Sequence, residues 1–518
     1  MRGQVGPRLP LEVLTVRPRA YRLWFLLLLS VAGIVACGGG GNLSPAGPSS
    51  LRPAVKGSTP IQHVIVVIQE NRSFDNLFAT FPNANGTTTG KVEAMPPSLA
   101  TACPSPITQA TTVPLSVHNL AFGDDFQHDR TAYLTALDNG SMDGFDLENR
   151  SPGGGYRPAC LYNYAYVDPS QIQPYWNLAE QYVLADNTFQ TQGSGSFTAH
   201  QDLIAGGTVV NYNTGSCSGS CQNSIVDDPT GFPWGCDART PNPYSSPPVE
   251  GAVTDLLTTQ LQYLLDKGPY PCLTYKTMRD LLDAKKIPWK FYAPAIQKWS
   301  QCGGKGGDTA GIWSAFDAIS AVRYGKEWGT KVPGTNTKFF SDITAGTLPA
   351  VAWITPDALN SDHPQEQKKS PCGGGGGPDL DYGPSWVAQI VNAVGKSKYW
   401  KSTAIVILWD DWGGFYDHVP PPFQDNQGGL GFRIPMLIVS PYVQPHVEHT
   451  QYEDASILRF IEDNWNLGSL GTTDTRATAI TNAFNFNQTP RPFQTISAAF
   501  SKSFFIHQKP SGIPADTQ

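Results

Sequence analysis

The segment His63-Val-Ile-Val-Val-Ile-Gln69, followed directly by Glu70-Asn71-Arg72-Ser73-Phe74-Asp75, decides how the chain is interpreted. The first part is a continuous apolar run of strand length, which is typical of a strand that is covered on both faces of a sheet. The second part places a carboxylate and an amide at the end of that strand. Ligands of open α/β sheets bind at the carboxyl ends of the strands. The segment therefore predicts a buried strand that delivers polar side chains to a functional edge.

Similar apolar runs recur along the chain and alternate with helix-like stretches. The strand candidates are residues 287–294, 348–356, 403–410 and 435–442, and the helix candidates are residues 253–267, 273–286, 385–395 and 455–467. Buried strands that alternate with such helices predict an α/β fold with a mostly parallel sheet. Residues 145–250 differ, because they are rich in Gly, Pro, Asn, Tyr and Cys and show little periodicity. We expect them to form loop-rich insertions that shape a site.

The composition is that of a large globular protein with an acidic charge balance. The chain has 518 residues, of which 40% are hydrophobic and 15% are charged, and its formal net charge is −7. A chain of this length and composition can bury a large core. Its negative net charge offers no broad basic surface for a phosphate backbone, so nucleic acid is not expected as a partner.

The N-terminus predicts export and a lipid anchor. Basic residues precede the apolar run 23–35, which is too short to span a bilayer but suits the core of a signal peptide. Ile34-Val-Ala-Cys37 resembles the lipobox of bacterial lipoproteins. Residues 1–36 are therefore expected to be removed, and Cys37 is expected to carry the lipid that anchors the protein to a membrane, facing the periplasm or the cell exterior. An uncleaved anchor or an ordinary signal peptide is the alternative.

Beyond the lipobox the chain divides into a tether and a domain. Residues 37–59 are rich in Gly, Ser and Pro and predict a flexible tether, whereas residues 60–510 predict one folded domain. Eight further cysteines, an even number, allow up to four disulfides of undetermined connectivity in an oxidising compartment: Cys103, Cys160, Cys217, Cys221, Cys236, Cys272, Cys302 and Cys372. Cys217 and Cys221 alone could form half of a zinc site, but no matching pair lies nearby in the sequence.

A second polar constellation follows a late strand candidate, where residues 410–418 read Asp-Asp-Trp-Gly-Gly-Phe-Tyr-Asp-His. Adjacent carboxylates such as Asp410 and Asp411 are costly to bury unless a cation neutralises them. Together with Glu70 and Asn71 they provide four oxygen ligands of the kind that hard cations prefer. The sequence predicts one divalent metal ion, with Ca, Mg, Mn, Fe and Zn as candidates. The following Asp-His pair could serve a structural role instead.

These two motifs, with Gly193-Ser-Gly-Ser-Phe-Thr-Ala-His-Gln201 between them, resemble a bacterial phosphoesterase family. This family groups acid phosphatases with phospholipases C and is a branch of the alkaline-phosphatase-like superfamily. The resemblance covers most of residues 60–470. It implies a layered α/β/α sandwich around a mostly parallel sheet, and it places the metal ligands at Glu70, Asn71, Asp410, Asp411 and Ser196.

The resemblance also implies that Ser196 is the nucleophile. A Gly-rich entry lets the backbone approach an oxyanion, and coordination to a cation makes a serine alkoxide accessible. Ser194 and Thr198 are rival candidates in the same loop. Ala199 occupies the position at which the acid-phosphatase form of the loop has an asparagine. The loop resembles that form more than the form found in many phospholipase-like members.

Three histidines are further candidates for the site. His128 and His363 resemble the family's phosphate-contacting histidines, which stabilise charge on phosphoryl oxygens and can protonate a leaving group. His200 is expected to support substrate binding, together with Asn71. The resemblance thus implies an enzyme that hydrolyses phosphate esters through a phosphoserine, as an acid-phosphatase-like phosphomonoesterase or, alternatively, as a phospholipase C acting on lipid phosphodiesters. An inactive surface lipoprotein used for binding is the alternative of another class.

Overall fold

The computed structural model describes residues 57–121, 124–151, 157–210, 224–227, 235–237, 252–254, 262–264, 272–295, 312–364, 382–422 and 428–511. All of these residues belong to one compact unit, which extends from Ala54 to Gln518. The predicted signal peptide, Cys37 and most of the predicted tether lie outside the described residues. Within the described ranges, no helix combines the length and the hydrophobicity that crossing a membrane requires.

A central sheet with seven described strands organises the fold. In spatial order the strands are Trp289–Tyr292, Val351–Ile354, His63–Gln69, Thr403–Trp409, Met436–Val439, Val183–Ala185 and His446–Glu448. The first four run parallel to one another. Met436–Val439 is antiparallel to both of its neighbours, and the last pair is parallel again. The sheet is therefore mostly parallel, and the α/β fold class is confirmed.

Helices surround this sheet and complete its core. The described α-helices are Phe74–Phe78, Pro97–Ala100, Arg130–Leu137, Gln173–Gln181, Ser196–Ala205, Met278–Ala284, Ser320–Arg323, Lys338–Ala345, Gly383–Gly395, Asp454–Trp465 and Lys502–His507. Every residue from Val64 to Ile68 has zero exposure, so both faces of that strand are covered. This burial explains why the strand is apolar without alternation.

The shorter strands form small sheets outside the central one. They are Thr89–Val92 with Thr111–Pro114, Ser116–His118 with Ala165–Val167, Asp125–Phe126 with Asn149–Ser151 and Arg157–Pro158, Thr188–Phe189 with Tyr452–Glu453, and the group Val209–Val210, Ser224–Val226, Ala252–Thr254 and Gln262–Leu264. Two disulfides, Cys103–Cys160 and Cys236–Cys272, link loops of this part of the chain. The other four cysteines of the predicted set lie outside the described residues.

The predicted strands are confirmed, and two of the four predicted helices are confirmed with small shifts. The prediction for residues 273–286 is too long, since the helix covers only Met278–Ala284. Of the predicted helix 253–267, the described parts lie in the antiparallel strands Ala252–Thr254 and Gln262–Leu264 and are not helical. The other residues of this prediction lie outside the described residues. Apolar, aromatic and β-branched residues in this segment suit a strand as well as a helix, and pairing with neighbouring strands decided the outcome.

Residues 145–250, which were expected to be insertions, contribute directly to the core. They contain the central strand Val183–Ala185 and the helices Gln173–Gln181 and Ser196–Ala205. A strand of three residues is too short to produce a readable periodicity. The interpretation of the sequence therefore underestimated how much of this region supports the sheet.

Candidate active site

Two neighbouring parallel strands place the predicted metal ligands side by side. In the register of this pair, Gln69 lies opposite Trp409. The Glu70-Asn71 pair and the Asp410-Asp411 pair follow these two residues, so all four side chains leave the sheet at the same edge. Strand pairing thus brings together in space two motifs that lie far apart in the sequence.

The turns that follow the two strands are fixed by backbone contacts. The Asn71 backbone is in the left-handed region with φ of +56°, and its N–H donates to Asp410 Oδ1 at 2.9 Å. Gly413 has φ of +61°, and a Cβ atom there would lie 2.2 Å from the carbonyl oxygen of Asn71. Its N–H donates to Asp411 Oδ1 at 2.7 Å. Glycine is therefore required at this position, because any side chain would push the two motifs apart.

The oxygen atoms of these residues fit a divalent cation. Glu70, Asn71, Asp410 and Asp411 have zero exposure. Asn71 Oδ1 and Asp410 Oδ2 have no hydrogen-bond donor among the described residues. Buried polar atoms without a partner are costly, and three carboxylates in one buried site repel each other. A bound cation would remove both costs, so the ligand set suits the metal that the motifs imply.

Ser196 lies beside this set. Its Oγ donates a hydrogen bond to Asp411 Oδ2 at 2.9 Å and accepts one from Asn71 Nδ2 at 3.2 Å. It is the first residue of the helix Ser196–Ala205, and the N-cap of this helix is Gly195, which has no side chain to cap the first turn. The first-turn N–H groups and the positive end of the helix dipole can thus serve an anionic ligand.

The rival hydroxyl groups of the same loop are engaged elsewhere. Ser194 Oγ donates to the carboxylate of Asp227 and lies 3.0 Å from Thr198 Oγ1. Thr198 Oγ1 donates to the carbonyl of Val226 at 2.9 Å. Burial raises the pKa of Asp227 to about 8, and the nearby Asp129 carboxylate adds to the effect. These contacts engage Ser194 with Asp227 and Thr198 with Val226, and they leave Ser196 as the hydroxyl of this loop that meets the predicted ligands.

His200 lies against the metal-ligand carboxylates, although the sequence indicated only a role in supporting substrate binding. Its Nε2 atom is 3.1 Å from Glu70 Oε1 and 3.6 Å from Asp410 Oδ2. One ligand atom from each of the three residues lies within 4.8 Å of the others, so the group could hold a metal ion. Burial lowers the pKa of His200 to about 4, and the charge of Asp410 opposes this effect. The helical spacing of four residues from Ser196 could have revealed this placement, because such residues share one helix face.

The two histidines predicted to contact phosphate differ in their surroundings. His128 Nε2 lies 2.7 Å from Asn71 Nδ2, and its Nδ1 lies 2.6 Å from the carbonyl oxygen of Phe126. His363 is also buried, and its Nδ1 lies 2.9 Å from the carbonyl oxygen of Pro364. Its loop is joined to the site through Ser361, whose carbonyl accepts from the Glu70 N–H at 2.8 Å.

Arg72 is a positioning residue that the sequence interpretation did not single out. This fully buried side chain donates from Nε and Nη2 to the carbonyl oxygen of Asp362, at 2.8 and 2.6 Å. Nη2 also donates to the carbonyl of Leu120 at 2.6 Å. Asp362 has a positive φ of +71° and directly precedes His363. The arginine of the first motif therefore holds the loop that carries His363. The sequence signal for this role of Arg72 was its position within the first motif.

Asp75 of the first motif forms a second acidic group with Asp417 and His418 of the late motif, and this group could hold an ion by geometry alone. Arg433 donates to both oxygens of Asp417 at 2.9 and 3.0 Å, and to Asp75 at 3.4 Å. His418 Nδ1 lies 2.6 Å from the Asp75 carboxylate. Burial lowers the pKa of His418, but the hydrogen bond to Asp75 and the charges of Asp75 and Asp417 together outweigh this effect and raise it. Two cationic groups thus balance two carboxylates, and a structural role accounts for this cluster.

Arg433→Met is expected to lower the free energy of unfolding by about 3–5 kcal/mol, because it leaves two buried carboxylates without their cation. Urea unfolding followed by tryptophan fluorescence measures the change. The matched control is Arg459→Met, since Arg459 forms only an exposed pair with Asp463 at 3.1 Å. The control should cost at most about 0.5 kcal/mol. Equal losses in the two variants would contradict the structural role of the buried cluster.

Comparisons with known proteins agree with the resemblance of the motifs. A profile described as the Phosphoesterase family matches residues 61–468, which include all of the site residues above. Phospholipase C B of Mycobacterium tuberculosis is 26% identical over 84% of this chain and 79% of its own length. Phospholipase C A of the same organism is 23% identical, with 83% and 78% covered. A solved protein in the alkaline phosphatase superfamily from Vibrio parahaemolyticus is 10% identical, with 84% of this chain and 76% of its own covered, at a TM-score of 0.32.

Proposed function

We propose that this chain, which belongs to the Phosphoesterase family and is a phosphoester-hydrolysing enzyme, acts on lipid phosphodiesters. It is proposed to cleave them in the manner of a phospholipase C. The observation that carries the chemistry is the hydrogen bond from Ser196 Oγ to Asp411, at the sheet edge that also holds Glu70, Asn71 and Asp410. The observation that favours the diester is the similarity to phospholipases C over about four fifths of the chain. The middle loop alone favoured a phosphomonoesterase.

Ser196 is the proposed nucleophile. As its Oγ approaches phosphorus, the hydroxyl proton passes to Asp411 Oδ2, which already accepts its hydrogen bond. A bond forms between Oγ and phosphorus while the bond from phosphorus to the lipid alcohol breaks, and the departing alkoxide takes up a proton from a water molecule. The hydroxide that remains then attacks the phosphoserine and releases the phosphorylated headgroup, and the serine oxygen recovers its proton from Asp411.

The surroundings of Ser196 suit the charge that develops on the phosphoryl oxygens. The first-turn N–H groups of the helix Ser196–Ala205 and the buried His363 are the proposed donors to these oxygens. Glu70, Asn71, Asp410 and Asp411 would hold the divalent ion, and His200 borders the same group. When bound, such an ion supplies charge neutralisation and makes the serine alkoxide accessible.

The substrate class is tested by comparing phosphatidylcholine, nitrophenyl phosphocholine and nitrophenyl phosphate. We expect kcat/KM for the two diesters to exceed that for the monoester by about tenfold or more, because a site built around a diester uses contacts on both sides of phosphorus. Ser196→Ala enzyme prepared in parallel controls for contaminating phosphatases. Faster turnover of nitrophenyl phosphate would instead establish the phosphomonoesterase.

The N-terminal sequence supports a further proposal, that the mature protein is a lipoprotein anchored through Cys37. This cysteine directly follows Ile34-Val35-Ala36, and no other lipid attachment motif precedes the folded domain. Wild-type protein expressed in a bacterial host should therefore partition into detergent, and Cys37→Ser protein should not. Mass spectrometry that finds an unmodified Cys37 at the mature N-terminus would disprove the anchor.

A further inference from the structure

We infer that a surface groove far from the candidate active site docks this protein on a bilayer of anionic phospholipids. The groove has a volume of about 690 Å³ and is lined by parts of the helices Lys338–Ala345 and Gly383–Gly395 and by the start of the helix Lys502–His507. Three lysines line it, and it is called the lysine groove below: Lys396, Lys398 and Lys502. The inference does not depend on the proposed phosphodiester substrate.

The lysine groove is cationic above an apolar floor. Its three lysines are exposed, whereas Phe340 is buried and Ile343 and Ala393 are half-buried. The described residues that line the groove include no carboxylate. Within the part of the chain that the structure describes, none of the three lysines forms an ion pair. Like charges around one opening create a positive potential that attracts an anionic partner.

Helix ends account for two of the three lysines but not for the third. Lys396 is the C-cap residue of one groove helix, and Lys398 Nζ lies beside Gly346, the C-cap residue of the other. The helix dipole favours cations at such ends. Lys502 instead begins its helix, where the dipole disfavours a cation. An anionic partner outside the protein accounts for all three.

The segments that build the groove oppose the charge balance of the chain. Residues 383–409 contain three lysines and no acidic residue, and residues 485–511 contain two lysines, one arginine and no acidic residue. The only acidic residue of the remaining groove helix, Asp342, accepts hydrogen bonds from Lys290 and Lys338. The formal net charge of the whole chain is −7. Positive charge is thus concentrated at the lysine groove although the protein is acidic.

The lysine groove lies where the chain enters the folded domain. The helices Lys338–Ala345 and Gly383–Gly395 end shortly before the two strands that flank the first strand, so the groove lies near the amino ends of these strands. His63 begins the first strand, and its ring lies 4.7 Å from the Tyr399 ring. Lys398 Nζ lies 5.2 Å from the same ring. The proposed tether therefore joins the domain beside the lysines.

The candidate active site lies at the opposite edge of the sheet. Glu70 follows the strand His63–Gln69, whose seven residues span about 20 Å. A bilayer that contacts the lysine groove therefore leaves the catalytic edge uncovered. It also lies on the side of the domain to which the proposed anchor at Cys37 is tethered. Tethering raises the effective concentration of such a bilayer at the groove.

Two features favour a bilayer over a soluble anion. The groove offers lysines, which are compact point charges and suit a fluid layer of headgroups, whereas one fixed phosphate is recognised geometrically by the arginine fork. Ile506 is 44% exposed and lies one helical turn after Lys502, on the same helix face. An exposed apolar side chain beside lysines is typical of a helix that enters the headgroup layer.

Vesicle binding tests the inference without turnover. The parent protein is the full-length chain with Cys37→Ser, which removes the lipid anchor, and Ser196→Ala, which keeps the lipid intact. Its partition coefficient is measured for vesicles of phosphatidylcholine with and without phosphatidylglycerol. We expect a preference of about 100-fold for the anionic vesicles, because each lysine near such a surface contributes about fivefold. High salt should abolish this preference, and its absence at low salt would overturn the inference.

Glutamine at all three groove positions is expected to reduce the preference for anionic vesicles to about threefold or less. The matched control makes the same charge change at three exposed lysines that do not line the groove: Lys91→Gln, Lys276→Gln and Lys326→Gln. This control should keep the preference within about threefold of the parent protein. Equal losses in the two triple variants would show an effect of net charge alone and would overturn the inference.

Two further measurements separate a bilayer from a soluble anion. Ile506→Ser should weaken binding to both kinds of vesicle by about threefold or more, because an apolar side chain no longer enters the lipid. The control is Val117→Ser, which changes another exposed apolar residue and should bind as the parent protein does. Glycerol phosphate at constant ionic strength should not displace the protein from vesicles. Displacement by micromolar glycerol phosphate, or unchanged binding by Ile506→Ser, would overturn the assignment of the groove to a bilayer.

Discussion

Ser196→Ala is expected to lower kcat by about four orders of magnitude, because it removes the atom that forms the covalent bond to phosphorus. The structure gives this serine a geometry that its neighbours lack, since its hydroxyl donates to Asp411 at 2.9 Å. The protein should remain folded, because the change deletes a single oxygen atom. Tm should therefore stay close to the wild-type value.

The covalent step is checked by rapid acid quench with a substrate labelled in the phosphoryl group, followed by peptide mapping. Wild-type protein should carry the label on Ser196. The matched control is Ser194→Ala, two residues earlier in the same loop, whose hydroxyl is bound to Asp227. We expect this control to retain kcat within about tenfold, because it is not the nucleophile. Label on Ser194, or near-normal turnover by Ser196→Ala without any phosphoenzyme, would exclude the proposed mechanism.

The central strands could be predicted because their physical signal is local. The run from Val64 to Ile68 is apolar at every position, and only a strand covered on both faces satisfies such a pattern at that length. The strand Val183–Ala185 escaped prediction because three residues carry no periodicity. The described parts of the predicted helix 253–267 form strands instead, because strand pairing, which is non-local, overrode an apparent helical spacing.

The same distinction between local and non-local information decides which features of the candidate site could be predicted from the sequence. The pairs after Gln69 and Trp409 could be brought together from sequence, because adjacent parallel strands end at one edge. The spacing of four residues places His200 on the same helix face as Ser196, but its contact with Glu70 also depends on how the helix Ser196–Ala205 approaches that edge, which the sequence does not give.

Removal of the divalent ion is expected to abolish turnover, and Asp411→Ala is expected to reproduce that loss at ordinary metal concentrations. Asp411 serves two purposes in the proposed site, as a metal ligand and as the acceptor of the Ser196 hydroxyl proton. Asp410→Ala removes a ligand and also the acceptor of the Asn71 N–H. We expect both variants to lose Mn²⁺ affinity by about 100-fold or more and kcat/KM by about 10³-fold or more.

The control must separate loss of a ligand from loss of a buried carboxylate, and Asp417→Ala does so. Asp417 lies in the same loop with zero exposure, but its partner is Arg433 at 2.9 Å. Because that change leaves a buried guanidinium without its main counter-charge, Asp417→Ala should lower the free energy of unfolding by about 3 kcal/mol or more. Its folded fraction should nevertheless bind Mn²⁺ with wild-type affinity.

Chelator-treated wild-type protein should regain turnover when a divalent ion is added. Full turnover in metal-free protein, or equal loss of metal affinity in the Asp411 and Asp417 variants, would rule out the assignment of Asp410 and Asp411 as ligands.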